Sequence, residues 1–175
     1  MANKEVKTQV EEIIETVKNN EEVFSPIIKS VEDKFEEGYR KYINEMKDAI
    51  MYWHEDDREV DIDYESICKE FVDKLEEVCD IDIEEFIRTE EFEEAEEYGW
   101  LDINGCIDDK YQFGLYILSY VSDYNRFQDI FYDGDLTFDM DEDDYDMLLE
   151  TKEKFEEEYD KEIREIEEKN QEYYR

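Results

Sequence analysis

Apolar residues recur every three to four positions along most of the chain, the period of a helix with one buried face. Val6, Val10, Ile13, Ile14 and Val17 form such a stripe over about Ala2–Lys18, and Asn19 and Asn20 end it. Ser25 and Pro26 are an N-cap and first-turn pair, so the pattern predicts a second helix from there to about Trp53. Its stripe is Ile27, Ile28, Val31, Phe35, Tyr39, Tyr42, Ile43, Met46 and Ile50, with Gly38 as an interior weak point. Residues 54–63 read as a loop, and Tyr64–Cys79 as a third helix. A fourth is expected from Asp82 to the region of Gly99, because Asp82 and Glu85 have capping-box spacing. The segment from about Asp108 to Gln128 is apolar nearly all round, which marks a central, buried helix. A last helix is expected over about Asp143–Tyr173, with Leu148, Phe155, Tyr159, Ile163, Ile166 and Tyr173 on its stripe and Lys152 and Asn170 between them.

The fold this predicts is all-α: a single domain over residues 1–175, a compact bundle of about six helices with long N- and C-terminal helices. Ile130–Tyr132 and Leu136–Phe138 leave room for one short hairpin around 130–138. The two terminal stripes either pack within one chain or form the seam of a homodimer.

Charge changes this picture of an ordinary helical bundle. The 175 residues carry 57 acidic and 20 basic side chains, a net charge of -37. Apolar residues make up 40% and aromatics 15%, enough for a packed core and unlike a disordered acidic tail. The charge is concentrated. Residues 1–53 carry 12 acids and 8 bases, residues 151–175 carry 10 and 6, and residues 54–150 carry 35 and 6, a net of -29. A solubility surface needs a net charge magnitude of only about 2–8. A halophilic protein avoids Lys, whereas here Lys outnumbers Arg 14 to 6. An excess that self-repulsion makes costly points to a partner outside the fold.

Cys68, Cys79 and Cys106 form no CxxC pair, and Cys68 and Cys79 lie about 16 Å apart along one predicted helix, too far for a disulfide. The odd count, with no signal-peptide pattern, leads us to expect a reduced cytoplasm, that of a bacterial host if the gene is carried by a phage. No apolar run reaches membrane-spanning length, so no membrane partner is expected.

Three kinds of chemistry compete for the carboxylates. The stretch "DGDLTFDMDEDDYDMLLE" (133–150) has the alternating aspartates of a calcium loop. The register starting at Asp139 offers Asp139, Asp141, Asp143 and Glu150 but has Asp144 where Gly is needed. The register starting at Asp129 supplies Gly134 and Leu136 but has Phe131 and Met140 at ligand positions. Neither completes the set, and no metal or other cofactor is expected. Glu12–Glu15 and Glu45–Asp48 have the paired ExxE and ExxD spacing of Mg-dependent all-α nucleotide pyrophosphatases. Many other pairs in so acidic a chain fit as well, and a phosphate substrate calls for Lys or Arg beside the metal. The lone His54 sits in a charged loop, and no zinc, Cys–His or phosphate-loop pattern is present. Direct binding to nucleic acid is disfavoured by the field itself.

What remains is the density of charge. B-DNA carries one negative charge per about 1.7 Å of axis, so -29 corresponds to roughly 50 Å of duplex. Candidate partner-binding carboxylates fall in three segments. The first holds Glu55, Asp56, Asp57, Glu59, Asp61 and Asp63. The second holds Glu90, Glu91, Glu93, Glu94, Glu96 and Glu97, flanking a narrow apolar line of Phe92, Ala95 and Tyr98. The third holds Asp133, Asp135, Asp139, Asp141, Glu142, Asp143, Asp144 and Asp146. In composition and charge layout over residues 54–150 the chain resembles the DNA-mimic inhibitors of phages and mobile elements, among them anti-restriction and some anti-CRISPR proteins. The resemblance implies a non-catalytic protein that occupies the basic channel of a nuclease or a Cas9-type effector. Its partner would be a positively charged nucleic-acid-binding protein. An acidic chaperone for basic proteins is a further alternative.

Overall fold

A computed structural model describes residues 2–56, 58–101, 107–124, 126–128 and 138–173, with side chains from Glu5 to Gln171 within those ranges. The protein is all-α with long terminal helices. In chain order the helices are α1 (Ala2–Asn19), α2 (Glu21–Asp48), a 3-10 turn (Ile50–Tyr52), α3 (Tyr64–Cys79), α4 (Ile83–Ile87), α5 (Glu90–Glu97), α6 (Lys110–Val121) and α7 (Glu142–Tyr173). Among the described residues the β-structure is one isolated antiparallel bridge between Glu59 and Asp139. Of the hairpin expected over 130–138, residues 130–137 lie outside the described residues and Phe138 is not in a strand.

The chain forms two compact units, one of residues 1–38 and 61–138, the other of residues 39–60 and 139–175. The first is built around α6, as its apolar composition predicts: every residue from Phe113 to Leu118 is buried. α6 packs on α1, α3 and α4, and α5 packs on α1 and α4. Edge-to-face ring contacts run through this core, including Phe24 on Phe71 and Phe86 on Phe92. In the second unit Tyr39, Ile43, Ile50, Trp53, Val60, Met140 and Leu148 are buried. There the 3-10 turn packs on α7.

Four departures from the expected helices appear, the first three because packing outweighs a local signal. α2 begins at Glu21 rather than at Pro26, which is accommodated inside the helix. The earlier start places Phe24 on the stripe of Ile27, Val31 and Phe35 and buries it completely. The expected helix over 82–98 is two helices. In one continuous helix Phe86 and Phe92 would project about 120° apart. The break at Thr89 turns both into the same core, and the Thr89 hydroxyl caps α5 by accepting from the Phe92 N–H. The expected helix over 108–128 stops at Val121. Ser122 adopts an extended backbone, donates its hydroxyl to Glu32 at 2.6 Å and accepts from the Tyr124 N–H. The second expected helix also ends early, at Asp48, and continues as the 3-10 turn.

Candidate partner-binding surface

Helix α5 is short, and its geometry follows from its two ends. Thr89 caps the start, with Glu90, Glu91 and Glu93 in the first turn, where the helix dipole favours negative charge. Gly99, at a positive φ of 72°, closes it. The Trp100 N–H bonds the Ala95 carbonyl at 3.0 Å and the Gly99 N–H bonds Glu96 at 3.3 Å, the Schellman arrangement. Phe92 and Ala95 are fully buried. The apolar line thus lies against the core rather than as a groove between two exposed acidic rows. Beyond it, Tyr98 is exposed and stacks on Trp100.

With that line inward, Glu90, Glu93, Glu94 and Glu97 form a single outward face, and all four are exposed. Glu91 is exposed on the flank. Glu96 turns inward, half-buried, and accepts the Ile107 N–H at 2.8 Å. It borders a cleft of about 500 Å³ with Ile87, Glu93, Ile107 and Asp108. Burial pushes its carboxyl above the usual range, and the charges of Asp108 and Glu93 add to this, against the lowering by the Ile107 N–H. Four of the six bases between 54 and 150 are engaged locally in the same unit. Lys74 pairs with Glu77, Arg88 with Glu84, Lys110 with Glu76 and Arg126 with Glu36.

Asp61 and Asp63 are exposed, alternating with buried Val60 and Ile62. Asp63 caps α3, accepting from the Ser66 N–H at 3.2 Å and the Ser66 hydroxyl at 2.7 Å, and these bonds hold its carboxyl below the usual range.

The other unit joins two acidic segments that are far apart in sequence. The Glu59–Asp139 bridge and the Met140 N–H to Arg58 carbonyl bond (2.9 Å) set the 55–60 loop beside the start of α7. Glu55, Asp56, Glu59, Asp139, Glu142, Asp143 and Asp146 are exposed there. Asp144 is different. It accepts from the Tyr39 hydroxyl at 2.5 Å and from Arg40 at 3.2 Å, and its side chain is 15% exposed. Asp141 is half-buried, and its N–H donates to the Tyr39 oxygen at 2.9 Å. Burial and the bond to Asp144 push the Tyr39 phenol well above its ordinary value. The Arg58 guanidinium lies 3.8 Å from the Tyr145 ring centroid. Asp57, Asp133 and Asp135 lie outside the described residues.

The 59–139 pairing joins residues 80 apart and was not among the expected contacts. The signal was the alternation at 59–63, where Val60 and Ile62 face inward between acids. The calcium register starting at Asp139 is helical from Glu142 onward, so its positions do not form a loop. Glu12 and Glu15 are exposed on α1, and Glu45 and Asp48 are exposed on α2. Among the described residues no three His, Cys, Asp or Glu side chains are grouped to hold a metal ion. Nor is any helix among them long and apolar enough to cross a membrane. No protein-family model, curated protein or solved structure matches the chain.

Proposed function

We propose that this protein is a non-catalytic DNA mimic: an acidic inhibitor that occupies the basic nucleic-acid channel of a bacterial defence nuclease or CRISPR effector. The observation that carries the reading is the outward face of α5. Glu90 to Glu97 is seven residue steps, about 10.5 Å of helix axis, and its four outward carboxylates are spaced one per about 3.5 Å on average. One strand of B-DNA presents a phosphate per about 3.4 Å of axis. Among the described residues no ion pair engages these four carboxylates, and Arg88, which borders the same cleft as Glu93 and Glu97, pairs with Glu84. The second unit carries exposed carboxylates of its own at Glu55, Asp56, Glu59, Asp139, Glu142, Asp143 and Asp146. Tyr98 and Trp100 supply aromatic contact area beside the α5 face. Association would be fast and salt-sensitive, because steering by opposite charge dominates the encounter.

The test is a fourfold reversal, Glu90→Lys, Glu93→Lys, Glu94→Lys and Glu97→Lys. All four side chains are solvent-exposed, so helical content should be retained. The reading expects the variant to lose displacement of DNA from the target enzyme. Displacement equal to that of the unaltered protein would remove α5 from the interface and overturn it.

A further inference from the structure

α7 spans 32 residues, about 48 Å. Its beginning is packed, with Leu148 fully buried and the Lys152 ammonium donating to the Trp53 carbonyl. From Glu153 to Gln171 every residue is exposed. Yet this half is not polar all round. Phe155, Tyr159, Ile163 and Ile166 are 44%, 50%, 36% and 58% exposed. At 3.6 residues per turn they fall within an arc of about 80°, and Leu148 and Asn170 lie in the same arc. The stripe that is buried at Leu148 therefore continues, exposed, for about four further turns.

The charges around the stripe decide what fits it. On one side lie Glu156, Asp160 and Glu167, and on the other Glu158, Glu162 and Glu165. Lys154, Lys161 and Arg164 project from the opposite face, each four residues after an acid, the spacing that steadies an exposed helix. Among the described residues from Glu153 on, Lys169, near the end, is the one base beside the stripe. A second copy of α7 in parallel would set glutamates against glutamates along both flanks, which disfavours self-association. Anionic lipid is repelled for the same reason.

We infer that the exposed half of α7 is a docking surface for a basic amphipathic helix of a partner protein. Apolar side chains of that helix would meet Phe155, Tyr159, Ile163 and Ile166, and its Lys and Arg would meet the flanking carboxylates. This surface shares no residue with the α5 face and does not depend on DNA mimicry.

The experiment uses the full chain and two synthetic helical peptides of about twenty residues. Both carry Leu and Ile on one stripe; one has Lys and Arg on the flanks, the other Glu. Binding is read by fluorescence anisotropy at physiological salt. The comparison variant is Ile163→Ser with Ile166→Ser, which leaves the net charge unchanged and alters only exposed positions. We expect saturable binding of the basic peptide, weakened about tenfold or more in the variant, and none of the acidic peptide. Equal binding of the basic peptide to both proteins would show diffuse charge attraction and overturn the proposal. So would binding of the acidic peptide, or a dimer in sedimentation that the serine substitutions dissolve, since a second copy would then be the occupant.

Discussion

Gly114 sits in the middle of α6, where alanine would normally add about 1 kcal/mol of helix stability. Here the substitution should destabilise. A Cβ at Gly114 would lie 2.7 Å from Cγ2 of Val72 and 3.8 Å from Phe71. Relaxed carbon contacts fall at about 3.5–4.0 Å, so the two helices must separate by roughly 1 Å or Val72 must turn. Val72 is fully buried, and a β-branched side chain in a helix has one strongly preferred rotamer. Overpacking of this kind costs about 1–3 kcal/mol, which exceeds or cancels the propensity gain and leaves a net loss of about 1 kcal/mol. The clash is local, so Val72→Ala should relieve it. Alone, Val72→Ala opens a cavity and costs about 2 kcal/mol. Together, the new methyl fills space that the old one vacates, and the double variant should be more stable than the sum of the two losses by about 1–2 kcal/mol. Urea denaturation followed by circular dichroism measures all three. A higher midpoint for Gly114→Ala, or strict additivity in the double variant, would refute the claim that α3 and α6 are in contact at this point.

Three further outcomes follow from the same kind of accounting. Gly38→Ala in α2 should stabilise by up to about 1 kcal/mol, since its Cβ would meet Ile67 at an ordinary 3.8 Å; a lower denaturation midpoint would count against the packing described. Tyr39→Phe removes the acceptor of the Asp141 N–H and one of the two donors to Asp144, Arg40 being the other, a loss of about 1–3 kcal/mol. Because the folded Tyr39 holds its proton to higher pH than the unfolded chain, its contribution is full below about pH 10 and declines as pH rises beyond. Alkaline unfolding should therefore be shallower in Tyr39→Phe, and an unchanged profile would contradict the buried phenol. Glu96→Gln keeps an acceptor for the Ile107 N–H while removing a charge that burial and Asp108 disfavour. With a raised folded value, the ionised Glu96 lowers stability as pH rises through its titration. The variant should thus melt higher at pH 7 and lose that part of the pH dependence, and a lower melting temperature would oppose the assignment.

Most of the helical architecture was legible in the sequence because it rests on periodicity, which is a local property. The apolar run of α6 marked it as central, and Gly99 marked the end of α5, since only a left-handed residue closes that turn. The breaks were not legible. Thr89, Ser122 and the early start of α2 are set by Phe92, Glu32 and Phe71, and which of these come together is a tertiary fact. The candidate surface was legible in part for the same reason. Helical spacing sets Glu90, Glu93, Glu94 and Glu97 on one face, whereas the expectation had all six glutamates of 90–97 flanking the line of Phe92, Ala95 and Tyr98. Nothing local separated them from Glu96 or Asp144, whose partners Ile107, Tyr39 and Arg40 are 11 to 105 residues away.

The central claim is that the carboxylates stand in for phosphates. The direct measurement is displacement of labelled duplex DNA from a panel of bacterial defence nucleases and CRISPR effector complexes, titrated with this protein over a range of salt. A DNA mimic should displace DNA competitively from at least one of them, with affinity falling linearly on a log–log plot against salt and lost on reversing the α5 face. Absence of displacement from every member, or displacement insensitive to both salt and the α5 reversal, would contradict it.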